Sequence, residues 1–339
     1  MTQLLYIGNN LRNEQSNRSV MDTLGPLLEQ EGYDVSYASS KSHKLLRLLD
    51  MLKSVLKYRN SVDVVLIDTY STQNFYYAFF VSQLCRLLKL PYMPILHGGN
   101  LPERLKSSPN MSQLIFTHAS CNICPSLYLK TTFEAEGYRN LIYIPNPIDI
   151  HQYPAVKRDF AAPKLLWVRS LSAIYNPFMA IHVLNDLQRK GVAAELCMVG
   201  PDTEDLMESL KALATALGVT VTFTGKLSKP EWIALSKAYN VFINTTTIDN
   251  APVSVIEAMA LGLPVVSTNV GGMPYLIAHG THGLLVPSDA VEAMVAAVIS
   301  LFEQPEKRDL MIGHARQLAE SFDWGLVKKA WGEVLNREW

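Results

Sequence analysis

Residues 244–274 read NTTTIDNAPVSVIEAMALGLPVVSTNVGGMP. A strand ends near Thr245 and a polar loop follows. Pro252 to Ser254 then start a helix, since proline in the first helical turn gives up no hydrogen bond. Ala258, Met259, Ala260 and Leu261 are strong helix formers, Gly262 supplies the stop, and the apolar run PVVST at 264–268 is the next strand. A strand, a helix and a second strand in so short a stretch make a βαβ unit, whose two strands run parallel.

The same rhythm extends in both directions. Apolar runs lie at 4–8, 33–38, 63–68, 92–98, 122–126 and 141–145 in the first half, and at 164–168, 194–200, 221–225, 241–245, 264–268 and 283–287 in the second. Several are almost continuously hydrophobic, as parallel strands covered on both faces require. Helix-length segments such as 18–31 and 43–59 separate them. The fold class is therefore α/β, with two Rossmann-like domains of parallel sheet. The proline-rich segment 145–163 reads as a linker. It divides the chain into domains 1–155 and 156–320, with a closing helix at 321–339 that carries Trp324, Val327, Ala330, Trp331, Val334 and Leu335 at helical spacing. Two such domains are expected to form a cleft faced by their strand carboxyl ends, where open α/β sheets bind ligands.

Composition narrows the function. The 339 residues include 30 basic and 31 acidic side chains, a net charge of −1, so there is no basic surplus to meet nucleic-acid phosphates. Four cysteines do not make a disulfide scaffold and point to a reducing compartment. The opening MTQLLYIGNN lacks the basic start and apolar core of a secretory signal, and the apolar stretch 75–90 is interrupted by Gln83, Arg86 and Lys89. A cytoplasmic protein is expected, with a peripheral place at the inner face of a membrane as a second possibility.

The helix beginning at 252–254 directs free N–H groups and a positive dipole end out of the strand–helix turn, a ready site for phosphate. Asp249 lies in the loop and Glu257 in the second turn. One reading gives these carboxylates the hydroxyls of a bound sugar, because ionised carboxylates are strong acceptors. The other makes them a capping residue and a solvated helix glutamate.

The stretch resembles the signature of the retaining nucleotide-sugar glycosyltransferases of family 4, which have the GT-B fold of two facing Rossmann-like domains. That family's Glu-x7-Glu pattern has its counterpart in Asp249-x7-Glu257, followed by EAMALGLPVVSTNVGG. Asp in place of the first Glu is a departure that shortens its reach. Other parts fit in order: LHGGN at 96–100, Pro125-Ser126, IPNPID at 144–149, WVRSLSAIYNP at 167–177 and VGPD at 199–202. The resemblance implies transfer of a sugar from a nucleoside diphosphate to a sugar, lipid-linked or other hydroxyl acceptor with retained configuration, in the synthesis of envelope polysaccharide, glycolipid or another glycoconjugate. It implies catalytic roles for Arg169, Asp249, Glu257 and His97. Donor contacts fall on Asn176, Asn250, Pro252, Val253, Ser254, Gly271 and Gly272, and acceptor contacts on Gly8, Asn9, Gly98 and Gly99. The family's second cationic clamp has no lysine here between Arg169 and Lys190; Asn176 stands in that neighbourhood as a neutral donor. No Asp-x-Asp occurs, in keeping with a metal-free and cofactor-free site in which a guanidinium and a helix N-terminus stabilise the leaving diphosphate. An epimerase or phosphorylase on the same fold and a non-catalytic nucleotide-sugar binder are the alternatives. A dehydrogenase is disfavoured, since no Gly-x-Gly-x-x-Gly follows a strand and the loop 9–18 is polar and glycine-poor.

Three further signals in the sequence carry less. Cys121-x-x-Cys124 lacks companion ligands and reads as structural. TGKLS at 224–228 lacks the residues of a phosphate loop. The segment 41–59, KSHKLLRLLDMLKSVLKYR, places Leu45, Leu48, Leu49, Leu52, Val55 and Leu56 on one arc and Lys44, Arg47, Lys53 and Lys57 on the other. It reads either as a core-packed helix with a solvated basic face or, with Leu46 exposed, as a contact with an anionic membrane.

Overall fold

The computed structural model describes residues 2–9, 20–337 and 339, so most of the polar loop 9–18 lies outside the described residues. The chain divides into two compact units, Met1–Pro147 with Trp324–Trp339, and Ile148–Asp323.

The first unit is a six-stranded sheet of β1 (Gln3–Ile7), β2 (Asp34–Ala38), β3 (Val64–Thr69), β4 (Tyr92–Leu96), β5 (Asn122–Cys124) and β6 (Leu141–Tyr143). Its order is β2-β1-β3-β4-β5-β6, with every neighbouring pair parallel. Alternate residues serve opposite faces, as strand geometry dictates. Leu4, Tyr6, Leu66 and Ile95 pack with α1 (Met21–Gln30) and the C-terminal α14 (Trp324–Leu335), while Leu5, Ile7, Val65 and Ile67 pack with α2 (Lys44–Tyr58) and α3 (Asn74–Leu87). Three shorter helices, α4 (Leu101–Ser107), α5 (Pro109–Phe116) and α6 (Leu127–Ala135), complete the unit around Phe116, Cys124 and Phe133.

The second unit contains β7 (Lys164–Val168), β8 (Glu195–Val199), β9 (Val221–Gly225), β10 (Val241–Asn244), β11 (Val265–Thr268) and β12 (Leu284–Val286), in the order β12-β11-β10-β7-β8-β9 and parallel throughout. Its helices are α7 (Pro177–Arg189), α8 (Met207–Leu217), α9 (Lys229–Ser236), α10 (Val253–Ala260), α11 (Met273–Leu276), α12 (Val291–Glu303) and α13 (Pro305–Glu320). Leu165 and Trp167 face α7, α8 and α12; Leu166 and Phe242 face α10 and α13.

All twelve apolar runs are strands. In each unit the strand order reverses beside the first strand, between β1 and β3 and between β7 and β10. These reversals leave a crevice at the strand carboxyl ends, the usual ligand position of doubly wound sheets.

The expected boundaries need correction. The segment 148–163 is not a free linker: Ile148 and Tyr153 sit in the core of the second unit, and Arg158 donates to the carbonyls of Ser236, Tyr239 and Leu261. The division falls at Pro147 and again at Asp323, so the closing helix belongs to the first unit. There its Trp324, Val327, Trp331, Val334 and Leu335 join the same core cluster as Leu4 and Tyr6, and Trp324 Nε1 donates to Glu31 at 3.2 Å. In α2 the expected faces are exchanged in part. Arg47 is buried with Met51 and Val55, while Leu45, Leu46, Leu49 and Leu56 are exposed. Arg47 turns inward because the carbonyls of Lys41 and Ser42 and the Asn9 side chain accept from its guanidinium.

Candidate active site

In the second unit, Arg169 follows β7 directly, its backbone N–H donating to Val199 O at 2.9 Å. Its guanidinium forms an ion pair with Asp249 and lies 4.7 Å from the Tyr175 ring centroid. Tyr175 is held from the far side of the reversal, where Thr245 Oγ1 at the end of β10 donates to its carbonyl and accepts from Trp167 Nε1. The two strands flanking the reversal thus fix the guanidinium together.

Asp249 anchors the loop that leads into α10. Its second carboxylate oxygen accepts from the Asn250 N–H at 2.9 Å, and its carbonyl accepts from Gly272 N at 2.9 Å. The contact admits no side chain on the glycine pair: a Cβ on Gly272 would lie 1.7 Å from Asn250 O, and one on Gly271, whose φ is +51°, would lie 2.2 Å from Asp249 O. Pro252 is the N-cap of α10 and no side chain caps the helix. Its first turn therefore keeps donors for an anion. Gly262, with φ +72°, ends the helix in the left-handed conformation that favours glycine.

Glu257 is 3% exposed and does not sit in solvent as a helix-surface glutamate would. It accepts from Tyr153 OH at 2.7 Å and pairs with Lys229 at the start of α9. Burial, and then the Glu257 carboxylate, push the Tyr153 phenol far above its usual range, so it remains a donor at any working pH. Neither partner was foreseen. Tyr153 lies in the apparent linker and Lys229 beside the rejected TGKLS; the Ser228-x-x-Glu231 capping box and Pro230 do mark the helix start that carries the lysine.

Asn176 requires a correction. It takes a left-handed conformation, φ +46°, and caps α7 by accepting from Met179 N, while its amide donates to Asp289 Oδ1 at 2.6 Å. Both ends of the side chain are engaged in structure, so it is not poised as a second phosphate clamp.

In the first unit, His97 follows β4 and its Nε2 lies 2.8 Å from Asp68 Oδ1 at the end of β3. Tyr6 OH donates to the same oxygen at 3.0 Å. Burial and the Asp68 carboxylate push the Tyr6 phenol well above its usual range. With Nε2 donating to the Asp68 carboxylate, the neutral imidazole of His97 has Nδ1 as its acceptor. Gly8 is the close approach here, since a Cβ would lie 2.6 Å from Asp68 Oδ2. Asn9 bridges Asn74 and Arg47. Gly98 packs on Ser71, and with Gly99 it forms the turn into α4, Leu101 N donating to Gly98 O. Asp68 and Tyr6 were missed in the sequence, because only strand order shows that β1, β3 and β4 end side by side.

Six buried side-chain polar atoms lack a partner among the described residues, and three are in these clusters: Arg169 Nε, Ser254 Oγ and Asp68 Oδ2. Orphaned buried groups are costly, and they concentrate where ligands bind. The cysteines behave otherwise. All four are free and buried, and burial pushes Cys85, Cys121 and Cys124 up to about 12. Among the described residues no three His, Cys, Asp or Glu side chains gather as metal ligands.

Two parallel sheets of this topology define the GT-B fold of glycosyltransferases, shared at 19% identity and a TM-score of 0.79 with Anabaena Alr3699/HepE solved in complex with UDP and glucose, over 99% of both chains. Sucrose-phosphate synthase from Thermosynechococcus elongatus has the same fold, with 15% identity, a TM-score of 0.81 and 98% of both chains covered. Within it, residues 156–318 match the family described as Glycosyl transferases group 1. Glycogen synthase of Mycobacterium tuberculosis is 27% identical over 201 residues, 58% of this chain and 49% of its own. Sulfoquinovosyl transferase SQD2 of Arabidopsis thaliana is 31% identical over 151 residues, 43% of this chain and 28% of its own. The chain thus spans about half the length of these curated relatives, or less.

Proposed function

We propose that the protein is a retaining glycosyltransferase that moves a sugar from a nucleoside diphosphate sugar to an acceptor hydroxyl without a metal or other cofactor. The observation that carries this reading is the cluster at the second sheet's reversal, where Arg169 Nε and Ser254 Oγ are buried without partners beside the uncapped α10. A diphosphate supplies oxygens for these donors. On its arrival Arg169 exchanges part of its bond with Asp249 for phosphate, and the released carboxylate takes hydroxyls of the transferred sugar. Glu257, held by Tyr153 and Lys229, accepts from further donor hydroxyls. The guanidinium and the helix amides stabilise charge as the sugar–phosphate bond breaks, and the departing phosphate accepts the acceptor's proton on the same face.

We assign the acceptor, a sugar, lipid-linked or other hydroxyl compound, to the first unit, where His97 Nδ1 accepts from a hydroxyl beside Gly8, Asn9, Gly98 and Gly99. The pathway is envelope polysaccharide, glycolipid or other glycoconjugate synthesis. No helix among the described residues is long and apolar enough to cross a membrane; we place the reaction in the cytoplasm with the protein peripheral to a membrane. Because Alr3699/HepE is solved with UDP-glucose, UDP-hexoses head the donor panel. The test is release of nucleoside diphosphate from UDP-, GDP- and ADP-sugars with simple acceptors, with product configuration read by NMR and EDTA present. Release with retention supports the proposal. Inversion or EDTA sensitivity removes that part of it, and binding of a donor without release in any acceptor mixture favours a non-catalytic binder, the reading that the engaged Asn176 supports.

A further inference from the structure

The first unit has an apolar surface that its own core does not use. Of the fifteen residues of α2, only Arg47, Met51 and Val55 are buried. Leu45, Leu46, Leu49 and Leu56 are 60%, 55%, 53% and 43% exposed. At 100° per residue, Leu45, Leu49 and Leu56 fall within about 40° of one another on the side away from the core, with Lys53 and Lys57 next to them. The neighbouring α3 packs against α2 through the same core cluster and adds Phe80 and Leu87, 46% and 79% exposed. Scattered exposed apolar residues are ordinary, but a ridge of leucines along one helix, beside a second helix with exposed apolar side chains of its own, marks a surface that is covered in use.

Charge identifies the cover. Six of the seven charged side chains between 41 and 59 are basic, and α3 carries no acidic residue, in a chain of net charge −1. Lys41, Lys44, Lys53, Lys57 and Arg59 are all exposed. A second copy docking through this face would bring like charges together, whereas anionic headgroups meet the lysines while the leucines enter the acyl boundary.

We propose that the exposed face of α2, extended by α3, docks the protein on an anionic lipid bilayer, with Leu45, Leu46, Leu49 and Leu56 inserted and the flanking lysines on the headgroups. This rests on the peripheral membrane contact proposed above and not on the transfer chemistry, so lipid binding and turnover are read separately. The experiment is sedimentation of the full chain with vesicles of phosphatidylcholine alone or mixed equally with phosphatidylglycerol, at low and high salt. The proposal requires binding to the anionic vesicles, weakened by salt. It also requires a loss of at least roughly tenfold in L45S/L49S and in K53E/K57E, with unchanged circular dichroism and melting. Absence of binding at low salt, binding that ignores the anionic lipid, or variants that bind like wild type would overturn it. So would concentration-dependent dimerisation abolished by L45S/L49S, which assigns the face to a second copy.

Discussion

Glu257→Gln separates the two roles the structure gives this carboxylate. The amide keeps an oxygen to accept from Tyr153 OH, and Lys229, whose side chain is 35% exposed, can turn to water when its partner loses charge. Breaking this pair therefore costs much less than breaking a fully buried one. The unliganded melting temperature should stay within about 3 °C of wild type, given ~2–4 °C per kcal/mol for a unit of this size. Glu257→Ala leaves the buried Tyr153 hydroxyl unpaired, costs ~1–3 kcal/mol and lowers melting by roughly 2–12 °C. Donor binding should fall in both variants. A hydrogen bond to a charged acceptor is worth ~1.5–3 kcal/mol, or about 10- to 150-fold in Kd. Differential scanning fluorimetry against a nucleotide-sugar series reads both effects at once, because a ligand at ~100 Kd stabilises wild type by ~2.7 kcal/mol. A Glu257→Gln protein that keeps its full ligand-induced shift would refute the assignment of this carboxylate to donor hydroxyls.

Three other substitutions or reactions test separate parts. Arg169→Lys should lower transfer by about 10²–10³, because an ammonium cannot meet a diphosphate bidentately and stack on Tyr175 as the guanidinium does; near-wild-type turnover would remove the clamp. Gly272→Ala forces the 249–252 loop off its seat, since the added Cβ meets Asn250 O, so it should lower melting and weaken donor binding together; unchanged calorimetry and titration would contradict that contact. With burial holding three thiols at about 12, the thiolate fraction at pH 8 is about 10⁻⁴, and Ellman's reagent should react only as the chain unfolds. A fast phase from Cys121 or Cys124 in the native protein would contradict the structural reading of that pair.

The strands were legible because parallel, doubly covered strands leave almost uninterrupted apolar runs, and helix α10 because Pro252 and Gly262 bracket it. What escaped the sequence depended on distant partners. Nothing local shows that Arg47 finds the carbonyls of Lys41 and Ser42 and the side chain of Asn9, so its arc looked solvated and the leucine arc looked buried. The prolines around 145–163 gave the composition of a linker, yet Tyr153 and Arg158 tie that segment to the second unit through Glu257 and three backbone carbonyls. Asn176 matched a clamp by position but serves as a helix cap. Asp68 became visible as the partner of His97 only once the topology set β3 beside β4.

A crystal structure with UDP-glucose, or with whichever nucleotide sugar the donor panel selects, decides whether the diphosphate lies at the start of α10. The diphosphate should lie on the amides of Val253 and Ser254 with Arg169 turned toward it, and the donor hydroxyls on Asp249 and Glu257. A nucleotide bound away from α10, with the Arg169–Asp249 pair intact and Ser254 still without a partner, would contradict it.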